Sequence, residues 1–119
     1  MVAYERFEAS RAAHLLALEV FKVSDSWPRS ELYVLTSQVR RAALSVPSNI
    51  AEGAAKHGRR EFARYLNIAV GSLAEFKYLL RFCHDRGLCT DSIWTKLEFL
   101  RDRAGRLVYG LYRRTRMPA

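Results

Sequence analysis

Phe62, Leu66, Ala69, Leu73, Phe76, Leu80 and Cys83 stand four, three, four, three, four and three residues apart. That alternation is the repeat of an α-helix whose apolar seam faces other helices in a left-handed bundle. A strand exposes alternate residues to alternate faces and cannot gather these seven on one side. Ile93, Leu97, Leu100, Ala104, Leu107 and Leu111 repeat the pattern further along. Two long rods with continuous seams need other helices to bury them.

The rest of the chain supplies two. Ala9, Ala13, Leu16, Val20 and Val23 give a helix over residues 3–24, with a second stripe of Phe7, His14, Leu18 and Phe21 beside the first. Two adjacent stripes make a face wider than one bundle seam requires. It is expected either to meet another subunit or to lie deep in its own core, with His14 as a hydrogen-bonded core residue. Ser24-Asp25-Ser26-Trp27-Pro28 reads as a turn, with Trp27 capping the core and Pro28 opening the next helix. Leu32, Leu35, Val39, Ala42, Val46 and Asn49 then mark a helix over residues 28–53, expected to kink or restart at Pro47. Gly53 and Gly58 are two candidate stops with positive φ, and Gly71 with Ser72 lets another helix approach the third closely. With the seamed helices placed at 59–86 and 91–113 and Thr90 as an N-cap, the expected fold is all-α. It is an antiparallel up-and-down four-helix bundle in a single domain.

A chain of 119 residues is long enough to bury a core without disulfide or metal. No apolar run reaches the roughly 18 residues of a membrane span. The opening MVAYERFEAS lacks a basic start followed by an apolar core, so the expected compartment is the cytoplasm, with Cys83 and Cys89 as reduced thiols. The formal net charge is +8 and is unevenly spread. Residues 40–66 carry Arg40, Arg41, Lys56, Arg59, Arg60 and Arg64 against Glu52 and Glu61. Residues 93–119 carry seven basic residues, including Arg113, Arg114 and Arg116, against Glu98 and Asp102. Clustered positive charge points to a polyanion, nucleic acid first. A solvated basic surface that keeps a bundle soluble is the alternative.

Catalytic signatures are missing from the sequence. Cys83, His84, Asp85 and Cys89 are metal-ligand types, but no second close pair follows to complete a structural zinc site. There is no phosphate-cradling glycine loop, no HExxH, and no spacing of Ser45, Ser48 or Ser72 with a histidine that argues for a triad. Glu52 and Glu75 can meet across two helices, but the Glu-x-x-His motifs of a dimetal bundle are absent. The expectation is a non-catalytic protein without cofactor or metal.

The middle of the chain is the distinctive part. A polar row of Gln38, Arg41, Ser45, Ser48 or Asn49, and Glu52 runs beside the apolar stripe of the second helix, and Arg41 and Glu52 are candidate partners. Arg40-Arg41-Ala42, the Ser-x-Pro-x-Asn-Ile-Ala-Glu-Gly run from Ser45 through Pro47, Asn49 and Glu52 to Gly53, and Ala69-x-Gly71-Ser72-Leu73-x-Glu75 occur together. In this combination the chain resembles the four-helix-bundle proteins encoded within intervening sequences of bacterial 23S ribosomal RNA genes. Trp27-Pro28 stands where that family usually has Phe-Pro, and Ala54 to Gly58 replaces a shorter link.

The resemblance implies a homopentameric ring. It also implies similarity to the accessory variability protein of diversity-generating retroelements, a basic pentamer thought to bind nucleic acid and a reverse transcriptase. It brings no catalytic residues. The expected function is binding of RNA or DNA by an oligomer, through phosphate contacts from Arg40, Arg41, Lys56, Arg59, Arg60, Arg64, Arg113, Arg114 and Arg116. Few exposed aromatics are expected among these bases, hence little sequence specificity. The family-motif residues Gln38, Ser45, Pro47, Asn49, Glu52, Gly53, Gly71, Ser72 and Glu75 are expected to serve structure or subunit contact. The alternative is an oligomeric protein-interaction scaffold, with the wide face of the first helix and the polar row from Gln38 to Glu52 as subunit contacts.

Overall fold

A computed structural model describes residues 7–117. Among the described residues the chain forms four α-helices: α1 (Glu8–Ser24), α2 (Ser37–Ala54), α3 (Arg59–Asp85) and α4 (Asp91–Arg116). Each packs on two neighbours, in the cyclic order α1, α2, α3, α4. The cross-links fix an antiparallel, up-and-down course. Arg40 of α2 bonds Asp25 just past α1 at 2.9 Å, Arg41 bonds Glu75 of α3 at 2.7 Å, and Lys96 of α4 bonds Glu19 of α1 at 2.8 Å. The bundle measures 47 × 24 × 23 Å.

The seams do what their spacing requires. Leu66, Ala69, Leu73, Phe76, Leu80 and Cys83 of the α3 seam are buried, and Phe62 is half-buried. In α4 the seam residues Leu97, Ala104 and Leu111 are buried and Ile93, Leu100 and Leu107 are half-buried, while Val108, outside the predicted seam, is fully buried. Ala13, Leu16 and Val20 of α1 and Val39, Ala42, Val46 and Ile50 of α2 close the core. Trp27 packs against it at one end. Thr90 caps α4, its hydroxyl accepting from the Ile93 N–H at 3.2 Å.

Several expectations need correction. The N-terminal residues 3–6 assigned to the first helix lie outside the described residues. The second helix does not begin as an α-helix after Pro28. A 3-10 turn at Arg29–Glu31 leads into a wider π turn at Leu32–Thr36, which puts both Leu35 and Thr36 inside. Pro47 does not make α2 restart; the helix runs through it from Ser37 to Ala54. Nearby carbonyls instead gain side-chain donors, from Ser48 Oγ to Leu44 and from Asn49 Nδ2 to Ser45, both at 2.8 Å. His14 is exposed rather than held in the core. Leu18 and Phe21, in the same stripe, also face outward, so the wide face of α1 is not buried within its own chain.

The glycines do not take the expected roles. Neither Gly53 nor Gly58 ends α2, which stops at Ala54 with Ala55 as its C-cap; Gly58, with φ +90°, is the N-cap of α3. Gly53 is helical and buried, and a Cβ there would come within 2.6 Å of Tyr65 Cβ and 3.1 Å of Phe62. It is Gly53 that admits a close helix. Gly71 has nothing within 4 Å of its would-be Cβ and lies on an open face.

Candidate nucleic-acid interface

The α2–α3 turn and the C-terminus of α4 are some fifty residues apart in sequence, yet the antiparallel course returns them to the same end of the bundle. Arg59 Nε donates to the Thr115 carbonyl at 2.9 Å, pinning the first turn of α3 to the last turn of α4. Lys56, Arg59, Arg60 and Arg64 therefore share one end with Arg113, Arg114 and Arg116, all of them exposed. Two sources of positive potential meet there. One is the side chains. The other is the N-terminus of α3, which has Gly58 at its cap and no side chain satisfying its first N–H groups.

Glu61 is the carboxylate bonded within this cluster, with Glu52 exposed nearby on the last turn of α2. Glu61 accepts from Arg64 Nε and Nη2 at 3.1 and 3.2 Å. That hydrogen bond, aided by the charges of Arg64, Lys56 and Arg60, holds the Glu61 carboxyl below its ordinary pKa. Arg64 in turn lies over the Tyr65 ring, 4.6 Å from its centroid, and Lys56 lies over the same ring at 5.6 Å. Arg116 sits over Tyr112 at 5.4 Å. Two aromatics thus stand among the bases, both of them half-buried rather than exposed. In sequence each adjoins an arginine, as Arg64-Tyr65 and Tyr112-Arg113, which was the legible signal. Between α3 and α4 the group opens into a cleft of about 590 Å³ lined by Arg60, Glu61, Arg64, Asn67, Tyr112 and Arg116.

Arg40 and Arg41 do not join this end. Arg40 faces α1, where Nε donates to Ser24 Oγ at 2.7 Å and Nη2 to Asp25 at 2.9 Å, and its guanidinium covers Phe21. Arg41 is bound to Glu75 rather than to Glu52, which is exposed. Those bonds make them structural links between helices.

The motif residues line the outer groove of α2 and α3. Ser45 and Ser72 hydroxyls lie 2.8 Å apart, and Asn49 Nδ2 donates to Ser45 Oγ at 3.0 Å. Arg41–Glu75 continues the row. Gln38, Ser48 and Glu52 of this row face solvent, as does Gly71. Ile68, Tyr78 and Phe82 of α3 are exposed apolar residues, as is Val34 in the π turn before α2.

At the opposite end Cys83 and Cys89 are free and buried. Burial, with smaller contributions from Cys89 and Glu31, pushes the Cys83 thiol up to about 12. His84 Nε2 lies 2.7 Å from Asp91 and its ring stacks on Trp94. Among the described residues no three His, Cys, Asp or Glu side chains gather as a metal would need, and no helix is long and apolar enough to cross a membrane.

An antiparallel four-helix bundle with a basic end and a polar α2–α3 groove defines the class. Residues 5–110 match the model of the 23S rRNA-intervening sequence protein family, and the chain belongs to that family. Among solved structures it is similar to a protein of unknown function from the S23 ribosomal protein family of Bacteroides thetaiotaomicron. The two share 18% identity at a TM-score of 0.81, over 88% of this chain and 95% of the other. No curated protein matches the sequence.

Proposed function

We propose that the protein is a non-catalytic, oligomeric nucleic-acid-binding bundle that uses its basic end to contact phosphates, with little sequence specificity. The observation that carries this reading is the convergence of the two basic runs, marked by the Arg59–Thr115 bond. Together the two runs place seven Lys and Arg side chains at one end, against Glu61 and the exposed Glu52 of the last turn of α2. A homopentamer is the proposed assembly, and the cytoplasm the proposed setting. The exposed Ile68, Tyr78 and Phe82 of α3, with an open Gly71 on the same helix, support assembly through this side of the bundle. That apolar face is also the observation that favours a second reading, a scaffold for a protein partner such as a reverse transcriptase.

The test is a titration of labelled RNA and DNA at several salt concentrations, with light scattering on the same sample. Binding that weakens steeply with salt supports phosphate contact, because each neutralised phosphate releases counterions. A well-formed oligomer that binds neither polymer at low salt would sink the proposal and favour the scaffold.

A further inference from the structure

The cleft between α3 and α4 contains more than charge. It is a groove of about 590 Å³, largely open to solvent. Tyr112 is half-buried in the wall, so its ring is held by the fold. Arg116, on the last turn of α4, covers that ring and is itself exposed. Arg60 is exposed on the first turn of α3 and makes no ion pair or hydrogen bond among the described residues. Glu61 fixes Arg64 to one side through two hydrogen bonds. Asn67, exposed one α3 turn further in, offers an amide with both donor and acceptor.

Building on the nucleic-acid reading above, we propose that this cleft takes one unpaired nucleotide of an RNA or DNA strand, its base stacked on Tyr112 and its phosphate held by Arg60 and Arg116. The base displaces Arg116 from the ring face, and the freed guanidinium turns to the phosphate that the base brings with it. One cation–π contact is exchanged for a base stack and a charge-assisted pair. Asn67 faces the base edge. A duplex cannot make this exchange, because its base faces are already stacked. The cleft therefore adds a preference for single strands to a basic end that holds any phosphate backbone.

The test compares Tyr112→Leu, which keeps apolar bulk without a ring, and Tyr112→Phe, which keeps the ring. The probes are fluorescein-labelled oligoadenylate, oligodeoxyadenylate and a short DNA duplex, with 5′-AMP as a free-nucleotide arm and circular dichroism to check folding. Loss of one base–aromatic stack corresponds to roughly tenfold weaker binding. The expected result is that loss for both single strands with Tyr112→Leu, unchanged duplex binding, and full retention in Tyr112→Phe. Wild-type protein that binds strands and duplex but is indifferent to Tyr112→Leu would overturn this inference and leave the phosphate-binding function standing. Wild-type protein that binds no polymer would overturn both. Binding of 5′-AMP as tight as that of the strands would make the free nucleotide the ligand and overturn the strand assignment.

Discussion

Gly53 and Gly71 look alike in the sequence, each a small residue inside helical pattern, and their environments are opposite. Tyr65 and Phe62 press on Gly53, so a methyl group there must move a helix. Gly53→Ala is expected to cost about 1–3 kcal/mol, read as a lower urea midpoint at unchanged slope. Gly71→Ala meets open space and should be neutral to stabilising in the isolated subunit. Only the register of α2 against α3 distinguishes the two, and one chain's periodicity does not contain it. His14 shows the same limit, since its stripe was legible but which stripe faced inward was not. The cysteines were more readable, because Cys83 sits on an unbroken seam. Burial keeps its thiol protonated up to about 12, and raises Cys89 as well. Both should resist iodoacetamide in the folded protein at mildly alkaline pH and react once it is unfolded. The sign follows from the shift: the folded state favours neutral thiols, so stability falls as pH rises from the ordinary thiol value of 9.0 towards 12.

At the scale of elements, the seams of α3 and α4 gave their positions because seven-residue periodicity has one helical solution. The start of α2 was less legible. Leu32, Leu35 and Val39 fit an α-helical stripe, but the chain spends Leu32–Thr36 in a π turn that the stripe does not reveal. At Pro47 the helix does not restart, because one missing donor does not end a helix packed on both sides. Links between elements can be tested by pH. Glu19 of α1 accepts from Lys96 of α4 at 2.8 Å, and that bond lowers its pKa. A lowered carboxylate stabilises the fold above its unfolded value, and the contribution disappears as pH falls through the folded value. Lys96 is largely exposed, which limits the pair to about 0.5 kcal/mol. Glu19→Gln should lower the melting temperature slightly at neutral pH and converge with the wild type in acid.

The whole molecule determines what the charge can do. Composition revealed an excess of positive charge and the run counts located it, yet nothing local joined Arg59 to Thr115 or put Tyr112 beside Arg60. That juxtaposition depends on four rods returning the chain to its starting end. The same topology separates Arg40 and Arg41 from the cluster and spends them on Asp25 and Glu75. A charge effect that belongs to the basic end must therefore differ from a charge effect of the whole surface. The most direct measurement is the salt dependence of RNA binding for the wild type and two variants of equal charge loss. One variant replaces Arg60, Arg113 and Arg114 with Ser at the basic end; the other replaces Lys22, Lys77 and Arg81, exposed elsewhere on the bundle. Weaker binding and a shallower slope are expected for the first variant, with the second close to wild type. Equal losses in the two would contradict it and return the charge to a general property of the surface.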